Sequence, residues 1–170
     1  MERPKIKIDL ETSDIIIEII GAISIIMMIG WPLYFFNELP DIIPRHFNAA
    51  GEPDGFSQKN IIWTLPAIGL VMYIGMLFLN KFPHIFNYPT EITEENAERQ
   101  YRIATKLIRT INMLIAVSFF YIGYGTIQTA LNEQDGLGTF FLPIFLLTIF
   151  GTIGIYMYQA LKRKSLTKDK

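Results

Sequence analysis

The chain has no cysteine, and that single absence removes disulfides, thiolate metal sites, haem attachment and cysteine nucleophiles together. Histidine is nearly as scarce, with only His46 and His84. Charged residues make up 18% of the 170, below the roughly 25% usual for soluble domains. They are also missing from long stretches, which a water-facing helical bundle would interrupt with a polar stripe. The net charge is −1, and no basic cluster with interleaved aromatics occurs outside the flanks of the apolar runs. These two facts exclude a nucleic-acid partner. No internal repeat and no long low-complexity segment is present.

What fills the chain instead is four apolar blocks, each long enough to cross a bilayer. They predict an all-α integral membrane bundle of four helices with lipid as its first partner. A polar segment, 1–14, precedes the first helix, 15–36, with Ser13 and Asp14 as N-cap residues. The connection 37–60 carries Pro40, Pro44, Gly51, Pro53 and Gly55, and helix two follows over 61–80 with Pro66 in its first turns. Residues 81–106 form a second connection and a helical stem, in which Thr93 is the expected N-cap and Glu95 and Glu98 stand four residues before Arg99 and Arg102. Helix three occupies 107–131, an acidic turn 132–138, helix four 139–161 and a basic tail 162–170. Gly123, Gly125, Gly151 and Gly154 are the expected sites of close helix packing. Trp31, Tyr34, Trp63, Tyr156 and Tyr158 fit an interfacial belt.

Lys and Arg collect on one side of this topology. Arg3, Lys5 and Lys7, then Lys81, Arg99, Arg102, Lys106 and Arg109, then Lys162, Arg163, Lys164, Lys168 and Lys170 all fall on one face, against Arg45 and Lys59 on the other. The expectation is a cell-membrane protein with both termini in the cytoplasm. Glu18, the one acid inside an apolar block, lies a turn from the cytoplasmic end, where Lys106 and Arg109 enter helix three. A structural interfacial pair is the leading reading of that level, with a proton or ion role as the alternative. Helices two and four are poor in ionisable groups, which disfavours a coupled transporter.

The connection 37–60 is long and rich in turn formers, yet Ile42, Ile43, Phe47 and Phe56 give it something to bury, so a folded, extracytoplasmic loop is expected. Glu52-Pro53-Asp54-Gly55 suits a type I turn, and Asn48 and Gly51 suit positive φ. His46 has two readings. It can bind a ligand or metal with Asp41, Asn48, Glu52 or Asp54, or titrate near neutral pH, or it can join Asn48 and Asp54 in holding the loop's backbone. Zinc is disfavoured because His84 falls on the other side of the membrane. Ser57, His46 and Asp54 make a poor triad within one short loop, and Gly55-Phe56-Ser57-Gln58-Lys59 lacks the second glycine of a nucleophile elbow. No catalytic residue, metal or cofactor is assigned, and the protein is expected not to be an enzyme.

The string Leu39-Pro40, Ile43-Pro44, His46-Phe47-Asn48, Gly51, Pro53-Asp54-Gly55 and Lys59 resembles the signature of domain of unknown function family 1648. That domain also forms the N-terminal part of SdpI-type immunity proteins against a bacterial sporulation-delaying toxin. The resemblance implies a bacterial cytoplasmic-membrane protein of a mostly uncharacterised family, with toxin immunity and signalling in one branch. This four-helix chain is shorter than the immunity proteins, which continue through more helices. Pro44, His46, Asn48, Gly51, Pro53, Asp54, Gly55 and Lys59 become the ligand-binding or loop-structuring residues, and Glu18, Lys106 and Arg109 the interfacial set. The expected role is non-catalytic sensing, binding or immunity, with a peptide or protein ligand outside, a cytoplasmic protein at the helix-three stem, or a second copy of the chain as partners. A subunit of a small transporter or channel is the alternative.

Overall fold

The computed structural model describes residues 3–162, so most of the basic tail, Arg163 to Lys170, lies outside the described residues. Four helices carry the fold: α1 Thr12–Phe35, α2 Thr64–Leu79, α3 Ala97–Ala130 and α4 Phe141–Leu161. Each is long and apolar enough to cross a membrane, α2 when counted with the 3-10 turn Lys59–Trp63 that leads into it. The expectation of an all-α chain is corrected in the first connection. There two strands, β1 Ile42–Phe47 and β2 Pro53–Gln58, pair antiparallel.

The helix starts also differ from expectation. Glu11 caps α1, and the Asp14 carboxylate accepts its N–H at 2.9 Å, so Ser13 and Asp14 lie inside the helix. Asn96 replaces Thr93 as the residue capping α3, and its side chain accepts the Thr93 N–H at 3.0 Å. Residues 139 and 140 belong to the turn before α4.

α3 is the spine of the bundle. It runs parallel to α1 and antiparallel to α2 and α4. Contacts climb in order: Asn80 reaches the Thr105 carbonyl at 3.2 Å, Asn112 the Tyr73 carbonyl at 3.2 Å, and Trp31 packs at a tilt against Tyr124 with ring centroids 5.6 Å apart. A mid-bundle core gathers Ile25, Met28, Tyr73 and Ala116. A second core, Leu39, Ile43, Ile62 and Ile127, joins the hairpin to the helices. α4 packs along α3 with Ala160 as its one buried residue.

Close packing falls on glycines other than those expected. A Cβ at Gly21 would lie 2.8 Å from the Tyr73 ring, and one at Gly69 would lie 2.6 Å from the Met28 methyl. Gly123, Gly151 and Gly154 face open space, while Gly125 lies against Leu137 of the loop before α4. Between helices this apolar, close backbone approach and interhelical hydrogen bonds give the contacts their specificity. Tyr73 supplies both, since its hydroxyl donates to the Glu18 carbonyl at 2.9 Å.

Candidate functional site

The hairpin turn is built around Asn48. Its side-chain oxygen accepts the N–H groups of Ala50 at 2.9 Å and Glu52 at 3.1 Å, and its amide donates to the Glu52 carboxylate at 2.9 Å. This is an Asx-type arrangement that offers backbone donors an acceptor without a helix or ladder. Asn48 does not take the positive φ expected of it. Gly51 does, at +81°, which lets its carbonyl accept the Leu137 N–H at 2.7 Å. The turn therefore lies at residues 48–52, and Pro53, Asp54 and Gly55, expected in a turn of their own, sit in β2.

The loop after α3 receives the hairpin tip. Gly136 has φ +146°, and a Cβ there would collide with the Gly51 carbonyl. Leu137 is buried, and its carbonyl accepts the Tyr121 hydroxyl at 2.9 Å, tying the tip to α3. At the hairpin base, Lys59 donates to the Leu39 carbonyl at 3.3 Å and lies 5.3 Å over the Phe36 ring. The hairpin is thus held at both ends, with Ile43 fully buried beneath it.

Two register shifts lie between these anchors. Pro44 faces Phe56, His46 faces Gly55 and Phe47 faces Pro53, so Arg45 is an extra residue on β1 and Asp54 an extra residue on β2. Such bulges re-aim side chains and concentrate at functional sites. Here His46 Nδ1 meets Asp54 Oδ1 at 2.5 Å, with the side chains 69% and 44% exposed. An exposed pair of this kind contributes about 0–1 kcal/mol to stability, too little to be its purpose in the fold. Arg45, His46, Asp54 and Gly55 line an open polar hollow of about 370 Å³. Ile42 and Phe56, expected to be buried, are 55% and 57% exposed on the same hairpin. Among the described residues no three His, Asp or Glu side chains converge as metal ligands would; Asp41 faces Lys59 at 3.9 Å, and Glu52 holds Asn48.

The opposite end spends its charges differently. Arg109 is buried and donates from Nε to Glu18 at 2.8 Å, with the buried Asp14 carboxylate 4.0 Å from its Nη1. Lys106, expected beside Glu18, reaches Glu11 at 2.9 Å and Ser13 at 2.7 Å instead. Arg102 bonds Glu11 at 3.1 Å and Glu98 at 3.3 Å. Three acids of α1 and its cap thus meet three bases of α3 in one ladder. The register puts Glu11 opposite residues 102 and 106, so Lys106 stands a turn below Glu18. The Lys106 ammonium, as hydrogen-bond donor and as charge, holds the Glu11 carboxyl below its ordinary value. Glu95, expected to pair with Arg99, gives way to the end of α4: Arg99 donates to the Gln159 and Lys162 carbonyls, and Gln100 to the Ala160 carbonyl at 2.9 Å. Tyr101 is fully buried and donates to the Pro4 carbonyl at 3.0 Å, beside Tyr88, whose hydroxyl burial pushes far above its usual range.

Residues 23–70 match the family model described as Domain of unknown function (DUF1648). The DUF1648 span runs from the middle of α1 through the hairpin into α2, and it contains every hairpin residue singled out from the sequence. An uncharacterised protein of Archaeoglobus fulgidus is 23% identical over 75% of this chain and 78% of its own length, so that likeness extends beyond the DUF1648 segment. No solved structure matches.

Arg45, Leu137, Gly136 and Asp14 are the site residues that sequence reading missed. Arg45 stood inside the DUF1648-like string as a gap between Pro44 and His46. The glycine spacing of Gly136-Leu137-Gly138 was the one available signal for the dock.

Proposed function

We propose that this protein crosses the cell membrane four times with both ends in the cytoplasm. It works without catalysis, as a sensing or immunity-type protein that presents its hairpin to a peptide or protein ligand outside. The topology rests on the four apolar helices and on the distribution of Lys and Arg. The recognition role rests on one observation: a hairpin fixed to the bundle at its tip and base keeps exposed both its hydrogen-bonded pair, His46 and Asp54, and two large apolar side chains, Ile42 and Phe56. Apolar anchors beside a polar hollow are what protein interfaces concentrate their binding energy in, and a pre-ordered surface loses little entropy on binding. Inside, a hollow of about 900 Å³ lined by Glu95, Glu98, Arg99 and Arg102 is the surface on which a cytoplasmic protein would dock.

The absence of cysteine makes the topology directly testable. A cysteine at Ser57 should react with a membrane-impermeant maleimide on intact cells, and one at Glu95 only after permeabilisation; the reverse pattern would overturn the orientation. A photocrosslinking residue at Phe56 should give a discrete adduct in membranes of the native host, lost when His46→Ala and Asp54→Ala are combined. An adduct pattern identical to that from a lipid-facing position such as Val71 would overturn the recognition role.

A further inference from the structure

Beneath the hairpin, two apolar grooves converge on one side chain. The first, about 230 Å³, runs between β1, α2 and α3 and is lined by Arg45, Ile62, Leu65, Ile68, Ile122 and Gly123. The second, about 400 Å³, runs between β1 and the α3–α4 turn, with Arg45, His46, Phe47, Ile122, Leu137 and Phe141 along it. Arg45 stands at the mouth of both and Ile122 divides them. The floor of the first is bare, because a Cβ on Gly123 would meet nothing within 4 Å although the residue itself is buried.

Among the described residues Arg45 forms no ion pair or side-chain hydrogen bond: the pairs of the hairpin join His46 to Asp54 and Lys59 to Asp41, and the Asp54 carboxylate that shares a hollow with Arg45 is taken by His46. As the bulged residue of β1, Arg45 lays its side chain across Gly55 of β2, where an added Cβ would come 3.5 Å from its Nε. An arginine fork is permanently charged and matches a phosphate in bidentate fashion.

We propose that this double groove holds an anionic phospholipid of the outer leaflet, its phosphate on Arg45 and its chains in the grooves on either side of Ile122. The proposal rests on the membrane reading above. Gly123 lies seven residues before the end of α3, about 10 Å along the helix, which is the depth at which chains lie below a headgroup at the hairpin. A lipid so placed would tie the hairpin to the bundle through the bilayer itself, beside the face that carries His46 and Asp54. The phosphate takes Arg45, and His46 borders the second groove beside it.

The test is native mass spectrometry of the full chain, reconstituted in vesicles of equal phosphatidylglycerol and phosphatidylcholine and released in mild detergent. The wild type should retain phosphatidylglycerol in preference to phosphatidylcholine. Arg45→Gln, which removes a charge-assisted pair, should lower that retention about tenfold. Gly123→Leu should lower it as far by filling the first groove, with no clash expected in the open space, while Arg45→Lys should keep part of it. Gly75→Leu, on an exposed stretch of α2 where a Cβ also meets open space, should change nothing. Equal retention of the two lipids, or loss in only one of Arg45→Gln and Gly123→Leu, would overturn the proposal. Recovery of the chain from the soluble fraction would overturn the membrane reading itself, whereas membrane-bound protein that keeps its Phe56 adduct but no phosphatidylglycerol would overturn the lipid site alone.

Discussion

The two ends of the bundle use charge in opposite ways. At the end formed by the chain's N-terminal segment and the α3 stem, Arg102, Lys106 and Arg109 are spent on Glu11, Asp14 and Glu18, and the ladder fixes α1 against α3. At the hairpin end, backbone contacts at Gly51 and Gly136, with Ile43 as an apolar plug, hold the fold, and His46, Asp54 and Arg45 are left toward the surface. Charge that does no structural work at an exposed site is available for a ligand. Under the proposed role, the contrast separates residues that hold the fold from residues that would meet a ligand.

The sharpest way to break this comparison is Arg109→Met. Removing the buried base takes from Glu18 and the buried Asp14 the guanidinium that faces both; losing one partner of a fully buried pair costs about 3–5 kcal/mol, an upper bound here because Glu18 is 31% exposed and Lys106 still acts on Asp14. Thermal unfolding of the purified chain in detergent should show that loss. Adding Asp14→Asn and Glu18→Gln to Arg109→Met should recover most of it, because the uncompensated charges go. A single variant as stable as the wild type would mean that the ladder is ornament.

The hairpin end should respond to a methyl group rather than to a charge. Gly51→Ala forces a side chain onto φ +81° and sets its Cβ 2.5 Å from the Gly138 carbonyl, a strain of about 1–3 kcal/mol. Amide exchange should accelerate over residues 42–58 and 134–138 and stay unchanged around Arg109. Faster exchange at both ends would show that the two ends are not independent.

The sequence made the helices legible because apolar runs of this length have few other homes. It made the hairpin illegible for a physical reason: Pro44, Pro53 and Gly55 are all breakers in a regular strand. Here they are tolerated because the two-stranded ladder has two edges and two bulges. The pairing of Glu18 with Arg109 was legible because both stand at the same end of their apolar runs. Lys106 was placed beside Glu18 and meets Glu11 instead because helix register, not depth, decides which acid meets which base, and Asp14, read as an N-cap, lies inside the helix that Glu11 caps. The dock between Gly51 and Leu137 joins backbone atoms 86 positions apart, and backbone contacts leave no mark in side-chain chemistry.

Asn48→Ala gives a smaller effect at the hairpin end. The N–H groups of Ala50 and Glu52 lose their acceptor but can turn to water, so about 1 kcal/mol is expected, confined to exchange of the turn. His46→Ala should leave stability within about 0.5 kcal/mol of the wild type, as exposed substitutions do.

The gentlest probe returns to the ladder. Glu11 is held below its ordinary value of 4.5 by Lys106, and an acid whose folded value is depressed contributes stability above its unfolded value that is lost as pH falls through the folded one. Acidification below 4.5 should therefore loosen the N-terminal segment, read as faster exchange at residues 11–14. The effect should fade as salt rises, because Glu11 is solvent-exposed and its partners are screened. Lys106→Gln should weaken that pH response, leaving the part that Arg102 supplies, and leave the hairpin untouched. If acid instead freed the hairpin before residues 11–14, the division of labour between the two ends would be wrong.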